Sequence, residues 1–153
     1  MKTQVCQPGR VSTGNAPYCT ACPEGKYEYQ NKQCLDCKAG TYGFTSAMAS
    51  CVPCSAGYFA DSVGFTTCNP CQAGYFSIGG SDKCTPCPKG HSSGGSSSQC
   101  YACPVNKMAA SSGSEMCHAC PDRTWAPVGS HVCFPCDAAH CRMGVSGPPL
   151  NTR

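Results

Sequence analysis

The 153-residue chain is poor in everything that fills a conventional core. Leu, Ile, Val and Phe together number 16, about a tenth of the chain against a usual floor of about a fifth. The 41% hydrophobic content hides this shortage, because Cys and Ala supply 33 of those residues. A two-layer enzyme core is excluded, and no enzyme is expected. No run approaches 18 apolar residues, and the start Met1-Lys2-Thr3-Gln4-Val5-Cys6 has no apolar h-region. Neither a membrane span nor a signal peptide is therefore expected within the chain. Charge is also thin: 11 basic and 8 acidic side chains stand singly, for a net +3, which argues against nucleic acid and anionic membranes as partners. No Asn-x-Ser/Thr sequon occurs, so any glycan must be O-linked, on some of the 27 Ser and Thr residues. No Gly-x-Ser-x-Gly elbow or phosphate-binding loop is present.

What is abundant is cysteine, 18 residues or about 12% of the chain, the density of a disulfide scaffold. An even count at regular spacing argues for an oxidising compartment, and extracellular or cell-surface localisation is the expectation. Sixteen of the cysteines form eight Cys-x-x-Cys pairs, at 19/22, 34/37, 51/54, 68/71, 84/87, 100/103, 117/120 and 133/136, with a period of 15–17 residues. Three residues after the second cysteine stands Gly25, Gly40, Gly57, Gly74 or Gly90, and Gly9 holds the same offset from Cys6. In Cys22-Pro23-Glu24-Gly25 the proline suits the second position of a type I turn and the glycine its fourth, while Ala39 in Cys37-Lys38-Ala39-Gly40 disfavours type II. Five residues after the second cysteine comes one large side chain per unit, namely Val11, Tyr27, Tyr42, Phe59, Phe76, Met108 or Trp125, with Ser92 the exception. A second glycine precedes the next cysteine in most units, so each unit reads as turn, short strand, turn, short return, with negligible helix.

Eighteen cysteines allow about 34 million pairings, but the pattern narrows them. Cys6 carries the turn and apolar signals of a second cysteine, with Thr3 where its first would stand. If every second cysteine bonds the first of the following pair, the bridges are Cys6–Cys19, Cys22–Cys34, Cys37–Cys51, Cys54–Cys68, Cys71–Cys84, Cys87–Cys100, Cys103–Cys117 and Cys120–Cys133. Cys136 and Cys141 then close a short loop. A double clasp between neighbouring pairs, such as Cys19–Cys34 with Cys22–Cys37, is the rival and leaves Cys6 facing Cys141. Each serial loop is worth about 3 kcal/mol by chain entropy, enough to stand in for a core. The expected fold is small, disulfide-rich and mostly irregular with short β-hairpins: an elongated solenoid-like rod in which units touch only their neighbours, on the order of 100 Å long at no more than about 25 Å per unit. The organisation reads as a partial opening repeat at 1–18, tandem repeats at 19–136, and a closing loop with an extended tail at 137–153.

The runs Cys37-Lys38-Ala39-Gly40-Thr41-Tyr42, Cys54-Ser55-Ala56-Gly57-Tyr58-Phe59 and Cys71-Gln72-Ala73-Gly74-Tyr75-Phe76 resemble tandem ephrin-receptor-like repeats. The resemblance covers Cys6 to about Cys136 and is looser to the cysteine-rich modules of tumour-necrosis-factor and growth-factor receptors. It implies stalks, receptor ectodomains and the surface coats of protists and algae, and brings no catalytic residue, cofactor or metal with it. Asn106 and Arg123 depart from the pattern where other units have the turn glycine; Asn tolerates the left-handed conformation and Arg does so poorly, which puts the turn at Arg123 in question.

Two functional classes follow. One is a structural stalk, coat or filament segment, whose opening half-unit would continue a longer array or stack head-to-tail on another copy of itself. The other is a receptor-type ectodomain binding a protein ligand through Tyr58, Tyr75 and Tyr101, although single exposed aromatics are ordinary surface features. A third alternative is chemical: two Cys-x-x-Cys pairs approach the spacing of a zinc ribbon, and four such sites would absorb sixteen thiolates but strand Cys6 and Cys141. His91, His118, His131 and His140 read as loop residues without a partner acid in any known motif. Ser92, Ser93, Ser96, Ser97 and Ser98, inside the Cys87–Cys100 loop, are candidate O-glycan acceptors.

Overall fold

In a computed structural model, residues 5–12, 17–137, 139 and 140 are described. Sixteen short strands pair as eight two-stranded antiparallel hairpins, and there is no helix among the described residues. Eight disulfides run in series, Cys6–Cys19 through Cys120–Cys133, each closing a sequence separation of 12 to 14 residues with Cα atoms 5.5 to 5.8 Å apart. The serial ladder is thus the observed pairing, and the double clasp does not occur. Cys136 is also disulfide-bonded, and its expected partner Cys141 lies outside the described residues, as does the tail from 142 to 153.

Each unit is counted from its second cysteine, giving units 1 to 8 at 6–21, 22–36, 37–53, 54–70, 71–86, 87–102, 103–119 and 120–135. In seven of them each strand is only two residues long, for example Tyr75–Phe76 against Thr85–Pro86. A lone hairpin of this size is not stable in water, so the bridge beside it must hold it closed. Pro53, Pro70, Pro86 and Pro135 end the return strands, which is permitted because every strand of a two-stranded sheet is an edge. Unit 2 differs: Lys26–Tyr29 pairs with Gln33–Asp36 over four residues. Its strands join through a type I′ turn, with φ 54° at Gln30, 57° at Asn31 and the Lys32 amide donating to the Tyr29 carbonyl.

The first turn of each unit sits one residue later than the sequence suggests. The Thr41 amide donates to Lys38 O at 3.0 Å, and Lys26 to Pro23 O at 3.2 Å, so the glycine is the third turn residue. Its φ is positive, between 76° and 86° in the first six units, while the residue before it is not. That combination defines type II and corrects the type I expectation; Ala39 occupies the second position, where any residue fits. The turn at Arg123 does form, with φ 62° and the Thr124 amide on Pro121 O at 3.1 Å, and Asn106 matches it at φ 63°.

Packing between units also exceeds the expected nearest-neighbour stack. Around Gly74 of unit 5, the amide donates to Ser93 O of unit 6 at 2.8 Å, and the carbonyl accepts from Cys87 of unit 6 at 2.8 Å. The Cys87 carbonyl in turn accepts from Gly113 of unit 7 at 2.8 Å. A Cβ added to Gly74 would fall within 3.0 Å of the Gly113 carbonyl oxygen, so backbone from units n and n+2 meets directly. The same holds for Gly9 with Ala47, Gly25 with Gly64, Gly40 with Gly80, Gly57 with Ser96 and Gly90 with Gly129. Units therefore overlap like shingles.

The core is made of small groups. Cys22, Cys37, Cys54, Cys87 and Cys103 are fully buried, together with Ala60, Ala109 and Ala126. Of the large residues read as the core, Val11 alone is buried; Tyr27, Tyr42, Phe59, Phe76, Met108 and Trp125 are half-buried. The buried row lies one residue further on, at Gly43, Ala60, Ser77, Ser93, Ala109 and Ala126, where the chain passes the turn of the preceding unit. A Cβ on Gly43 would already be 3.1 Å from the Gly25 amide nitrogen, so only small side chains fit. Ser77 and Ser93 use the space to donate their hydroxyls to Tyr58 O and Tyr75 O of the preceding unit, at 2.9 and 3.1 Å.

Candidate functional site

The residues singled out in the sequence mostly take structural places. Ser92, the small exception among the large positions, faces Tyr101 across its hairpin, so the aromatic of unit 6 stands on the return strand. Tyr75 lays its ring against Gly113 two units on, within 3.6 Å of where a Cβ would sit. Tyr58 and Tyr75 are 37% exposed and Tyr101 59%. They stand in three separate hairpins.

The notch lined by Tyr42, Ser55, Tyr58, Thr67 and Cys68 measures about 210 Å³, below the roughly 300 Å³ at which small-molecule sites begin. It is open and shallow. Its walls carry the hydroxyls of Tyr42, Ser55, Tyr58 and Thr67.

The histidines are dispersed. His118 pairs with Met108 on an exposed strand, His91 directs Nδ1 at Lys89 O at 3.3 Å, and His131 is exposed. His140 is different: its ring stacks on Trp125 at 3.8 Å and 5°, while Phe134 meets the same indole at 6.2 Å and 43°. The His140 Nδ1 lies 2.5 Å from Asp137 Oδ1, which also accepts from the backbone amides of His140 at 2.9 Å and Ala139 at 3.1 Å. The hydrogen bond from the His140 ring, helped by those two amides, holds the Asp137 carboxyl below its ordinary 3.8. This cluster covers the indole of unit 8. Trp125 and His140 each stood out in the sequence, but no spacing rule joins them.

Among the described residues no group of three or more His, Cys, Asp and Glu is placed to hold a metal ion. The zinc alternative is overturned by the bridges, because a disulfide sulfur offers no thiolate to a metal. No helix among the described residues is long and apolar enough to cross a membrane.

The serine loop divides on exposure. Ser93 is 2% exposed with its hydroxyl committed to Tyr75, Ser92 is half-buried with Oγ 3.2 Å from Cys117 Sγ, and half-buried Ser97 donates to Gly94 O at 2.8 Å. Ser96 and Ser98 are exposed. The row of small residues one position after the large ones was missed in the sequence, although aligning the units displays it. Compared with known proteins, the chain matches no family model, and no curated protein matches it. The fold itself, a disulfide-rich repeat ladder in an oxidising environment, is what a function must be read from.

Proposed function

We propose that the chain is an extracellular structural module, a stiff stalk or surface-coat segment, whose task is to hold distance and resist proteolysis. The observation that carries this reading is the serial ladder itself: eight bridges in succession, one closing each unit. Close inter-unit backbone contacts link each unit to the next and the next but one. Such a ladder extends in one direction, as a spacer must. The likeness of Cys54-Ser55-Ala56-Gly57-Tyr58-Phe59 and its counterparts to ephrin-receptor-like repeats supports the same role. A filament of copies joined end to end, in a register other than the one inside the array, is its finer version, and O-linked sugars on Ser96 and Ser98 would suit a surface coat.

Electron microscopy of the oxidised protein, paired with protease digestion before and after reduction, tests the reading. Narrow elongated particles that resist protease until reduced are expected. Rounded particles, or digestion at equal rates in both redox states, would remove the structural role.

A further inference from the structure

We infer that Asn106 and Arg123 close the C-terminal end of the repeat array, so that neither another repeat nor a second copy of this chain can stack there in the register used inside. This holds whatever the rod is for. The first-turn residue has two duties in the interior. It must adopt positive φ, and it must leave room for the carbonyl of the second turn two units on. Glycine satisfies both in units 1 to 6, where Gly9, Gly25, Gly40, Gly57, Gly74 and Gly90 are all buried.

Units 7 and 8 have no unit two places further on among the described residues. There the first duty persists, with φ 63° and 62°, and the second lapses: Asn106 and Arg123 are exposed. The inward side of these turns is unaltered. The Asn106 amide donates to Ala126 O at 2.8 Å, as the Gly90 amide does to Ala109 O at 2.9 Å, and Asn106 O and Arg123 O accept from Cys120 and Cys136 at 2.9 Å. The substitutions therefore affect only what could be added. A unit docked over unit 7 would bring a backbone carbonyl within 3.0 Å of the Asn106 Cβ, by analogy with the six interior turns. A backbone carbonyl cannot rotate away as a flexible side chain could. Trp125, capped by His140 and Phe134, fills the adjoining face with bulk.

The test is to lengthen the array at two places. Residues 71–102, which carry two complete units and their own bridges, are duplicated in tandem after Ala102 or inserted after Ala119. The first insertion leaves a glycine under every added unit, whereas the second puts an added unit over Asn106. Non-reducing peptide mapping and protease half-life are read on both, with and without Asn106→Gly. The tandem duplication is expected to pair serially and to match the original half-life. The insertion after Ala119 is expected to be cut at least about tenfold faster, with Asn106→Gly restoring most of the loss. Equal half-lives for the two insertions, or no rescue by glycine, would overturn the inference. So would filaments of the unaltered protein whose repeat spacing runs unbroken through the junction between copies. Neither result would touch the stalk reading, which the particle shape decides.

Discussion

Units 1 to 6 and units 7 and 8 make the same type II turn with different residues, and the difference separates two properties of glycine that usually travel together. In the interior the missing Cβ matters twice, once for φ and once for clearance. In units 7 and 8, among the described residues, only φ remains, and Asn106 and even Arg123 meet it. The left-handed conformation alone costs an L-residue about 1–2 kcal/mol, a strain that one hydrogen-bonded, disulfide-flanked turn absorbs. A carbonyl lodged in the Cβ position is not absorbed without moving a neighbouring unit.

The largest expected effect breaks the array where both duties operate. Gly74→Ala combines about 1–2 kcal/mol of backbone strain with about 1–3 kcal/mol for displacing the Gly113 carbonyl. The predicted loss is about 2–5 kcal/mol in guanidinium unfolding of the oxidised protein. Asn106→Ala, with strain but no overlap, is expected to lose no more than about 1 kcal/mol. Equal losses at the two positions would mean that clearance plays no part and that the two regions do not differ.

That distinction was only partly legible in the sequence. The serial bridges could be read because Cys6 carries Gly9 and Val11 at the offsets of every other second cysteine, which sets the register of the whole ladder. Hairpins could be read from the doubled turn signals. The turn type could not, because one residue of register separates Ala39 as a third position from Ala39 as a second, and only the Thr41 to Lys38 hydrogen bond decides it. The n+2 contact was invisible for a related reason: it depends on the angle at which hairpins stack, which no local pattern encodes. The core was misplaced by one residue, since size drew attention to Phe59 and Phe76 while the tight inter-unit space belongs to Ala60 and Ser77.

A smaller effect, of opposite sign, sharpens the comparison from the other region. Arg123→Gly relieves the left-handed strain and gives back part of it as unfolded-chain entropy, so the net gain should be about 0.5–1 kcal/mol. Thermal unfolding monitored through Trp125 should shift upward by a few degrees. A loss of stability would show that the Arg123 side chain makes a contribution its exposed position does not suggest.

The smallest effect concerns how unit 8 is covered. Inner units are covered by backbone from their neighbours, which does not titrate, whereas unit 8 is covered by His140 stacked on Trp125 and tied to Asp137. Because the Asp137 carboxyl is held below 3.8 in the folded chain, its contribution is complete above that value and disappears as pH falls through the lowered one. Fluorescence of Trp125, the single tryptophan, should therefore report an acid transition below pH 3.8. It should change as acidification protonates Asp137 and loosens the His140 ring, well before the disulfide-held hairpins unfold. Asp137→Asn should abolish that acid transition while leaving protease resistance intact. An unchanged transition in the variant would assign it to another carboxyl and leave the end of the array as indifferent to pH as its middle.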